Sequence, residues 1–524
     1  MYGGLSVIVN IVPEIPGTLA APCNSRYHGR VDAPNVLWIC TDSQRFDTLG
    51  CYGNPWVTTP HADRLARGGI LFTHCYAQNP LCTPSRGAFL TGRYPVTNRL
   101  RQNGQDIPEH ERLVTKRLAE EGYLCGLSGK LHLSACDRRI ERYGRDPSGW
   151  PRPTPERGNQ VLDGIERRID DGYADTEFFW DHAPSGTLPS SAYTRWLAQR
   201  GAAVDPQPAG DSRHVKTGMP SELHQAKFCA DMAIDFMCAH RAQGYPWLFS
   251  VNIFDPHFIL DPPSGYLDPY RERLDAIPLP NYRDGELDDK PPYQKQFSER
   301  GAYNRLEMTD RDHRLCRAAY WAMCDHIDVQ LGRMMEALDD TGQRDNTIVI
   351  FTSDHGELLG DHGIYIKGPF LYDPAIRVPL IIRWPDHIPE NRRADTLVEL
   401  FDIAPTLLDA AGLTREPGMQ ARSLVPVIVG ETDHHRDSVY CEYYNSNPND
   451  PAQFCTMVRT TTHKLVVFHG QELGELYDLT VDPNETRNLL NADGAQGIRA
   501  ELLKQLVDRM AETADPLPPR AGIY

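Results

Sequence analysis

The chain has 524 residues, too many for one minimal core and enough for a large domain with a smaller one beside it. With 40% hydrophobic and 24% charged residues it has the composition of an ordinary globular protein, and its formal net charge of −17 argues against nucleic acid or an acidic membrane as partner. An anionic substrate would have to be drawn by a local cluster of Arg, Lys and metal, because the overall field repels it.

Thirteen cysteines, an odd number without paired metal-finger spacing in so large a chain, predict free thiols in a reducing compartment and hence a cytoplasmic protein. Residues 1–34 read as an N-terminal extension. Their one apolar run, 5–12, contains Asn10, is followed by Pro13, has no basic residue before it and is too short to span a bilayer. The segment Ala20-Ala21-Pro22 keeps export as the minority reading. No internal repeat or low-complexity tract is evident.

The fold is expected to begin at 35–42, a continuous apolar run that ends in Asp42. Such a run reads as a buried parallel strand delivering its carboxylate to the edge of a sheet where ligands gather. In the next stretch, 81–93, Cys82 stands just ahead of Pro84 and Ser85, which suit the first positions of a helix, and Arg86 lies one turn on. At a helix N-terminus the free N–H groups and the dipole favour negative charge, so this is an anion site holding a reactive group. A lone buried Cys before an ordinary helix is the plainer reading of the same residues. Lys130-x-His132 sits at a further strand end.

Residues from about 138 to 220 are rich in Pro, Gly, Arg and aromatics and predict long loops over the sheet edge, with Arg138, Arg139, Arg142, Trp150, Trp180, His182, His214 and Lys216 as candidate substrate contacts. The strand grammar returns at 247–254, followed by Asp255-Pro256-His257, and at 347–353, followed by Asp354-His355. Helical spacing marks 228–240 and 315–338. Asp325, His326 and Asp328 in the latter read as a polar helix face in preference to a metal site. After a helix at 400–408 the texture changes to short strands at 438–443, 464–468 and 475–479 and a final helix at 498–513. The organisation expected is therefore 1–34 extension, 35–435 catalytic α/β domain with a mainly parallel central sheet flanked by helices, and 436–524 a small α+β subdomain with an antiparallel sheet.

Cys82-Thr83-Pro84-Ser85-Arg86, continued by Leu90-Thr91-Gly92-Arg93, resembles the signature of the type I sulfatases of the alkaline phosphatase superfamily. The segment from Tyr477 to Leu489 is similar to their C-terminal subdomain, so the resemblance runs from about residue 35 to the end, apart from the loop region. It implies an alkaline-phosphatase-like fold and a sulfuric ester hydrolase, an arylsulfatase-type enzyme. Cys82 would be the precursor of formylglycine (3-oxoalanine), made by a formylglycine-generating enzyme. Asp42, Asp354 and His355, with the hydrate at Cys82, would bind one divalent ion; Arg86 would hold the hydrate, Lys130 and His132 would reach hydrate and sulfate, His257 would face the leaving oxygen, and Lys367 would bind the transferred group.

The chemistry explains why such parts are needed. A sulfate ester requires positive charge on its non-bridging oxygens, an activated nucleophile and a proton donor for the leaving oxygen. A thiol would be left as a thiosulfate-like adduct, whereas one hydroxyl of an aldehyde hydrate can attack and the other can expel sulfate. Ser43 departs from the family, which places a second Asp or a Gln there, and a hydroxyl is a weaker ligand. Oxygen ligands favour Ca2+, and His355 admits Mn2+. Phosphonate monoester and phosphodiester hydrolases of the superfamily use the same machinery and are the alternative; a non-catalytic anion-binding protein with unconverted Cys82 is the second. The expected substrate is a small-molecule or carbohydrate sulfate ester, and a homo-oligomer is expected.

Overall fold

A computed structural model describes residues 33–133, 171–178, 192–203, 207–208, 212–301, 303–447 and 453–516. Arg138, Arg139, Arg142, Trp150, Trp180 and His182, and nearly all of the N-terminal extension, lie outside the described residues. Among the described residues no helix is long and apolar enough to cross a membrane, and the cysteines are free thiols.

The central sheet is built from eight described strands: β1 (Asn35–Thr41), β2 (Ile70–Tyr76), β3 (Leu124–Gly129), β4 (Tyr173–Phe178), β5 (Trp247–Asn252), β6 (Thr347–Ser353), β7 (Arg377–Arg383) and β8 (Arg392–Glu399). Their order is β8-β2-β7-β6-β1-β5-β3-β4. Only β7 runs against its neighbours; the other adjacent pairs are parallel. Every residue of β1, β5 and β6 is buried, which is why these strands read as unbroken apolar runs: a parallel sheet covered on both faces has no polar side.

Helices cover both faces. The helix α1 (Cys82–Thr91) packs with the cluster that includes Trp38, Phe89 and Leu100. On the other face α2 (Gln225–His240) and α3 (Asp310–Asp340) pack over Leu37, Ile39, Phe249 and Val349. Two features differ from the sequence reading. The segment expected to be loops contributes β4 to the sheet edge and a helix, Ala192–Gln199, whose Tyr193 and Trp196 pack on Phe228 of α2. The polar face of α3 is turned inward. Asp328 accepts hydrogen bonds from the backbone N–H groups of His61 and Ala62 at 3.0 and 2.7 Å, capping a helix (Pro60–Arg67) whose own N-cap, Thr59, makes no side-chain capping bond. Asp325 accepts from Thr58 N at 2.6 Å and Tyr270 Oη at 2.7 Å, and His326 is buried beside Gln330. These residues hold helices together, and among the described residues the grouping of acid, His and Cys ligand atoms does not include them.

The C-terminal region forms a separate antiparallel sheet of β9 (Val439–Tyr444), β10 (Phe454–Arg459), β11 (His463–Phe468) and β12 (Leu473–Asp478), in that order. Helix α4 (Gln496–Glu512) lies against it through Leu502 and Leu506. A buried ionic network ties this sheet to the large domain. Arg509 donates to Glu399 Oε1 at 2.8 Å, to Ser438 O at 2.6 Å and to Tyr94 Oη, and Arg436 pairs with both Glu399 and Asp402. Arg509→Ala would leave Glu399 with Arg436 as its remaining cation. Breaking a buried pair costs about 3 kcal/mol at the low end of the usual range, so a lower thermal midpoint with unchanged active-site chemistry is expected by calorimetry and turnover assay.

Candidate active site

The strand register places the chemistry. Thr41 lies beside Ser353, Cys40 beside Asn252 and Gly129 beside Asn252, so the carboxyl ends of β1, β6, β5 and β3 stop at one level. Their exits are laced together: Asp42 N donates to Asp255 O at 3.3 Å, Asp354 N to Thr41 O at 3.1 Å and Lys130 N to Asn252 O at 3.1 Å. Gly129 makes the turn into Lys130 with φ +94°, and a Cβ there would lie 2.0 Å from Asn252 O, so only glycine fits.

Cys82 opens α1, as its sequence predicts. Asn79 Oδ1 accepts from Leu81 N, Asn103 Oδ1 accepts from Thr83 N, and Ser85 Oγ donates to Asp354 O at 2.5 Å, which fixes the helix start against the end of β6. Arg86, one turn on, is fully buried. Its Nε donates to Asp354 Oδ2 at 3.0 Å, Nη2 to Asp42 Oδ2 at 3.2 Å and Nη1 to Lys130 O at 2.8 Å.

Asp42, Cys82, Asp354 and His355 come together with one ligand atom each, all within 4.8 Å of one another and all buried. Cys82 Sγ is 3.2 Å from His355 Nε2 and 3.7 Å from Asp42 Oδ1. His355 donates Nδ1–H to Gly356 O at 2.9 Å, which leaves the lone pair of Nε2 facing the cluster. Three cationic groups surround it: Lys130 Nζ lies 2.6 Å from Asp42 Oδ2, Lys367 Nζ lies 2.8 Å from Ser43 Oγ and 3.8 Å from Asp42 Oδ1, and Arg86 lies beneath. His257 Nε2 is 3.9 Å from Asp42 Oδ1, while its Nδ1 donates to Phe258 O at 2.5 Å.

The electrostatics follow from this crowding. Burial pushes the Asp42 carboxyl up, but Lys130, His257, Lys367 and Arg86 together hold it well below the usual carboxylate range. Asp354 goes the other way, raised by burial and by the neighbouring Asp42. Burial and Asp42 raise the Cys82 thiol, yet Lys130, Lys367 and His355 bring it well below an ordinary thiol, so this point favours negative charge. Burial, with the charge of Lys130 second, pushes His132 down to about 4 against a hydrogen bond with Cys82. Two buried carboxylates that repel each other, with an imidazole lone pair beside them, are a donor set suited to a divalent cation.

Every catalytic and metal-ligand residue implied by the family resemblance therefore lies in this cluster or touches it. His214 and Lys216 do not: His214 packs on Tyr303 with ring centroids 5.3 Å apart, Lys216 lies in a two-residue strand pair, and among the described residues neither hydrogen-bonds nor ion-pairs with the cluster. Sequence reasoning missed the residues that hold the loops. Arg45 grips Asp47 and Asp361, both at 2.7 Å, and the carbonyls of Glu357 and Leu358. Gln225 accepts from Phe254 N at 3.2 Å and donates to Asp255, whose carboxyl burial raises to about 8. Arg45 alone carried a signal, as a basic residue four positions past the end of a buried strand.

Comparison with known proteins agrees with the geometry. The family model described as Sulfatase matches residues 34–413, and one described as N-sulphoglucosamine sulphohydrolase, C-terminal, matches 360–512. The chain is 27% identical to an arylsulfatase of Clostridium perfringens, covering 91% of this chain and 95% of that one. It is 25% identical to an N-acetylglucosamine-6-O-sulfatase of Bacteroides thetaiotaomicron, over 98% and 94% of the two chains. A solved phosphonate monoester hydrolase of Silicibacter pomeroyi superposes with a TM-score of 0.76 at 25% identity, covering 92% of this chain and 96% of that one.

Proposed function

The chain belongs to the sulfatase family and is a sulfuric ester hydrolase; on that premise we propose that it cleaves a sulfate monoester with Cys82, converted to formylglycine by a formylglycine-generating enzyme, as nucleophile, and with a divalent cation held by Asp42, Asp354 and His355. The observation that carries this reading is the buried grouping of those four residues, with one ligand atom each within 4.8 Å, among Arg86, Lys130 and Lys367. Cys82 Sγ stands at the place of the hydrate oxygens. When present, the aldehyde hydrate supplies a hydroxyl nucleophile that a thiol cannot replace, and the cation favours its ionised form.

The remaining roles fall to side chains already in place. Lys130 and Lys367 offer positive charge to the non-bridging sulfate oxygens. Arg86 fixes the carboxylates and would hold the hydrate. His132, kept uncharged at neutral pH by burial and Lys130, which push its pKa to about 4, is placed to hydrogen-bond the hydrate as a neutral imidazole. His257, with 23% side-chain exposure, is open to the side where a leaving oxygen would be protonated. Oxygen ligands favour Ca2+, with Mn2+ admitted by His355.

Likeness to an arylsulfatase and to an N-acetylglucosamine-6-O-sulfatase supports an aryl or carbohydrate sulfate as substrate. Likeness to a phosphonate monoester hydrolase supports a second reading, in which the same centre acts on phosphorus. The two are separated by comparing kcat/KM for 4-nitrophenyl sulfate, a 6-O-sulfated N-acetylglucosamine and 4-nitrophenyl phenylphosphonate. A sulfate ester is expected to lead by at least about tenfold, equivalent to ~1.4 kcal/mol of transition-state discrimination. A lead for the phosphonate would replace the sulfatase reading by the second one.

A further inference from the structure

Ser43 follows Asp42 directly, is fully buried, and holds its backbone at φ +63°, a left-handed conformation uncommon for a residue with a side chain. All of its polar atoms are engaged. Its N–H donates to Asp354 Oδ1 at 3.1 Å. Its carbonyl accepts the hydroxyl of Tyr320 from α3, and the same hydroxyl accepts Arg45 N at 3.1 Å. Its Oγ donates to Asp42 Oδ1 at 3.0 Å and accepts from Lys367 Nζ at 2.8 Å.

The division of labour at Asp42 gives this arrangement its meaning. Oδ2 is already occupied by Lys130 at 2.6 Å and Arg86 at 3.2 Å. Oδ1 is the oxygen left facing Cys82 Sγ and His355 Nε2, at 3.7 and 3.9 Å. Lys367 would gain most by closing on that same oxygen, since two opposite charges in a buried setting attract strongly. It is held at 3.8 Å instead, with the serine hydroxyl bridging the two at 3.0 and 2.8 Å.

We propose that Ser43 is a positioning residue: its hydroxyl is a spacer that keeps the Lys367 ammonium off Asp42 Oδ1, so that this oxygen stays available to a cation and the ammonium stays directed at the substrate anion. The inference rests on the metal-dependent sulfatase reading above. It sets Ser43 apart from a fourth protein ligand, because the hydroxyl spends its proton on Asp42 and its lone pair on Lys367. It also explains the strained backbone. Tyr320 and Asp354 clamp the carbonyl and the N–H so that the side chain can reach only this gap.

The test is calorimetric titration of Ca2+ into chelator-treated, formylglycine-converted protein, alongside steady-state kinetics on 4-nitrophenyl sulfate. In Ser43→Ala the ammonium can close on Asp42, so Ca2+ affinity is expected to fall about tenfold or more, the usual effect of losing a group that orients a ligand, and KM to rise as Lys367 leaves the substrate. In Ser43→Asp the two readouts should separate: the added carboxylate strengthens Ca2+ binding, yet it pairs with Lys367 and raises KM. A general loss of structure would not move them in opposite directions. Wild-type affinity for Ca2+ in Ser43→Ala, or a changed kcat with Kd and KM both unmoved, would overturn the inference while leaving the sulfatase reading intact. A wild-type protein that binds neither Ca2+ nor Mn2+ would overturn the metal reading, and the spacer role with it.

Discussion

Cys82→Ala is expected to remove essentially all turnover, a fall of at least about 10⁴-fold in kcat, while the protein stays folded. The expectation comes from what surrounds the residue. Lys130, Lys367 and His355 make the position of Sγ favourable to negative charge, and Arg86 anchors the carboxylates beneath it. An alanine leaves that field intact but gives it nothing to act with. Truncation of one buried sulfur costs about 1 kcal/mol of stability, so the thermal midpoint should move by only a few degrees. The mass of the peptide containing Cys82, from protein produced with and without a co-expressed formylglycine-generating enzyme, supplies the companion measurement. Activity should rise with the fraction converted to aldehyde or hydrate. If fully active protein carries a plain thiol, the nucleophile has been assigned wrongly. If wild type binds sulfate esters without turning them over and Cys82→Ala binds them equally well, the site is an anion receptor.

How far the sequence could carry these conclusions depended on the kind of residue involved. β1, β5 and β6 were legible because strands buried on both faces must be apolar throughout, and each is closed by the acid or His that serves the site. The start of α1 was legible because Pro84, Ser85 and Arg86 state a helix N-terminus and a charge in one phrase. β7 was hidden. Its Pro379 reads against a central strand, and the fold accommodates it where the β2 to β7 register shifts between Phe72 and Cys75, opposite the residue that can offer no N–H. The acids of α3 were legible only as a polar helix face, because their partners are backbone N–H groups more than 260 positions away, which no local pattern reveals. The same distance hid Tyr320, whose hydroxyl holds Ser43 across 277 positions, and Arg45, which closes on Asp361. Motifs name the atoms that react; the atoms that aim them are found only when the chain is folded.

Arg86→Met should produce the largest change in stability of any substitution at the site, about 3–5 kcal/mol in the absence of metal, together with loss of activity. Arg86 is completely buried and donates in three directions, to Asp354, Asp42 and Lys130 O, so its removal strands two carboxylates that already repel each other. Asp42 retains Lys130 at 2.6 Å, but Asp354 loses the guanidinium on Oδ2 and keeps the N–H groups of Ser43 and His355 on Oδ1, with His355 Nε2 3.6 Å from that oxygen. A divalent ion held by those same carboxylates, as proposed above, would bind the folded state alone. Ca2+ at 100 times its dissociation constant should therefore restore up to about 2.7 kcal/mol, and denaturant unfolding with chelator and with Ca2+ would show the gap between variant and wild type narrowing. Equal stability of the two proteins in chelator would mean that Lys130 and Lys367 alone balance the site. Arg86→Lys is expected to recover only part of the loss. An ammonium is one point of charge, whereas the guanidinium fork here meets two separate carboxylates and a carbonyl at once, and it is this three-way hold that fixes the ends of β1, β3 and β6 at the distances a sulfate site needs.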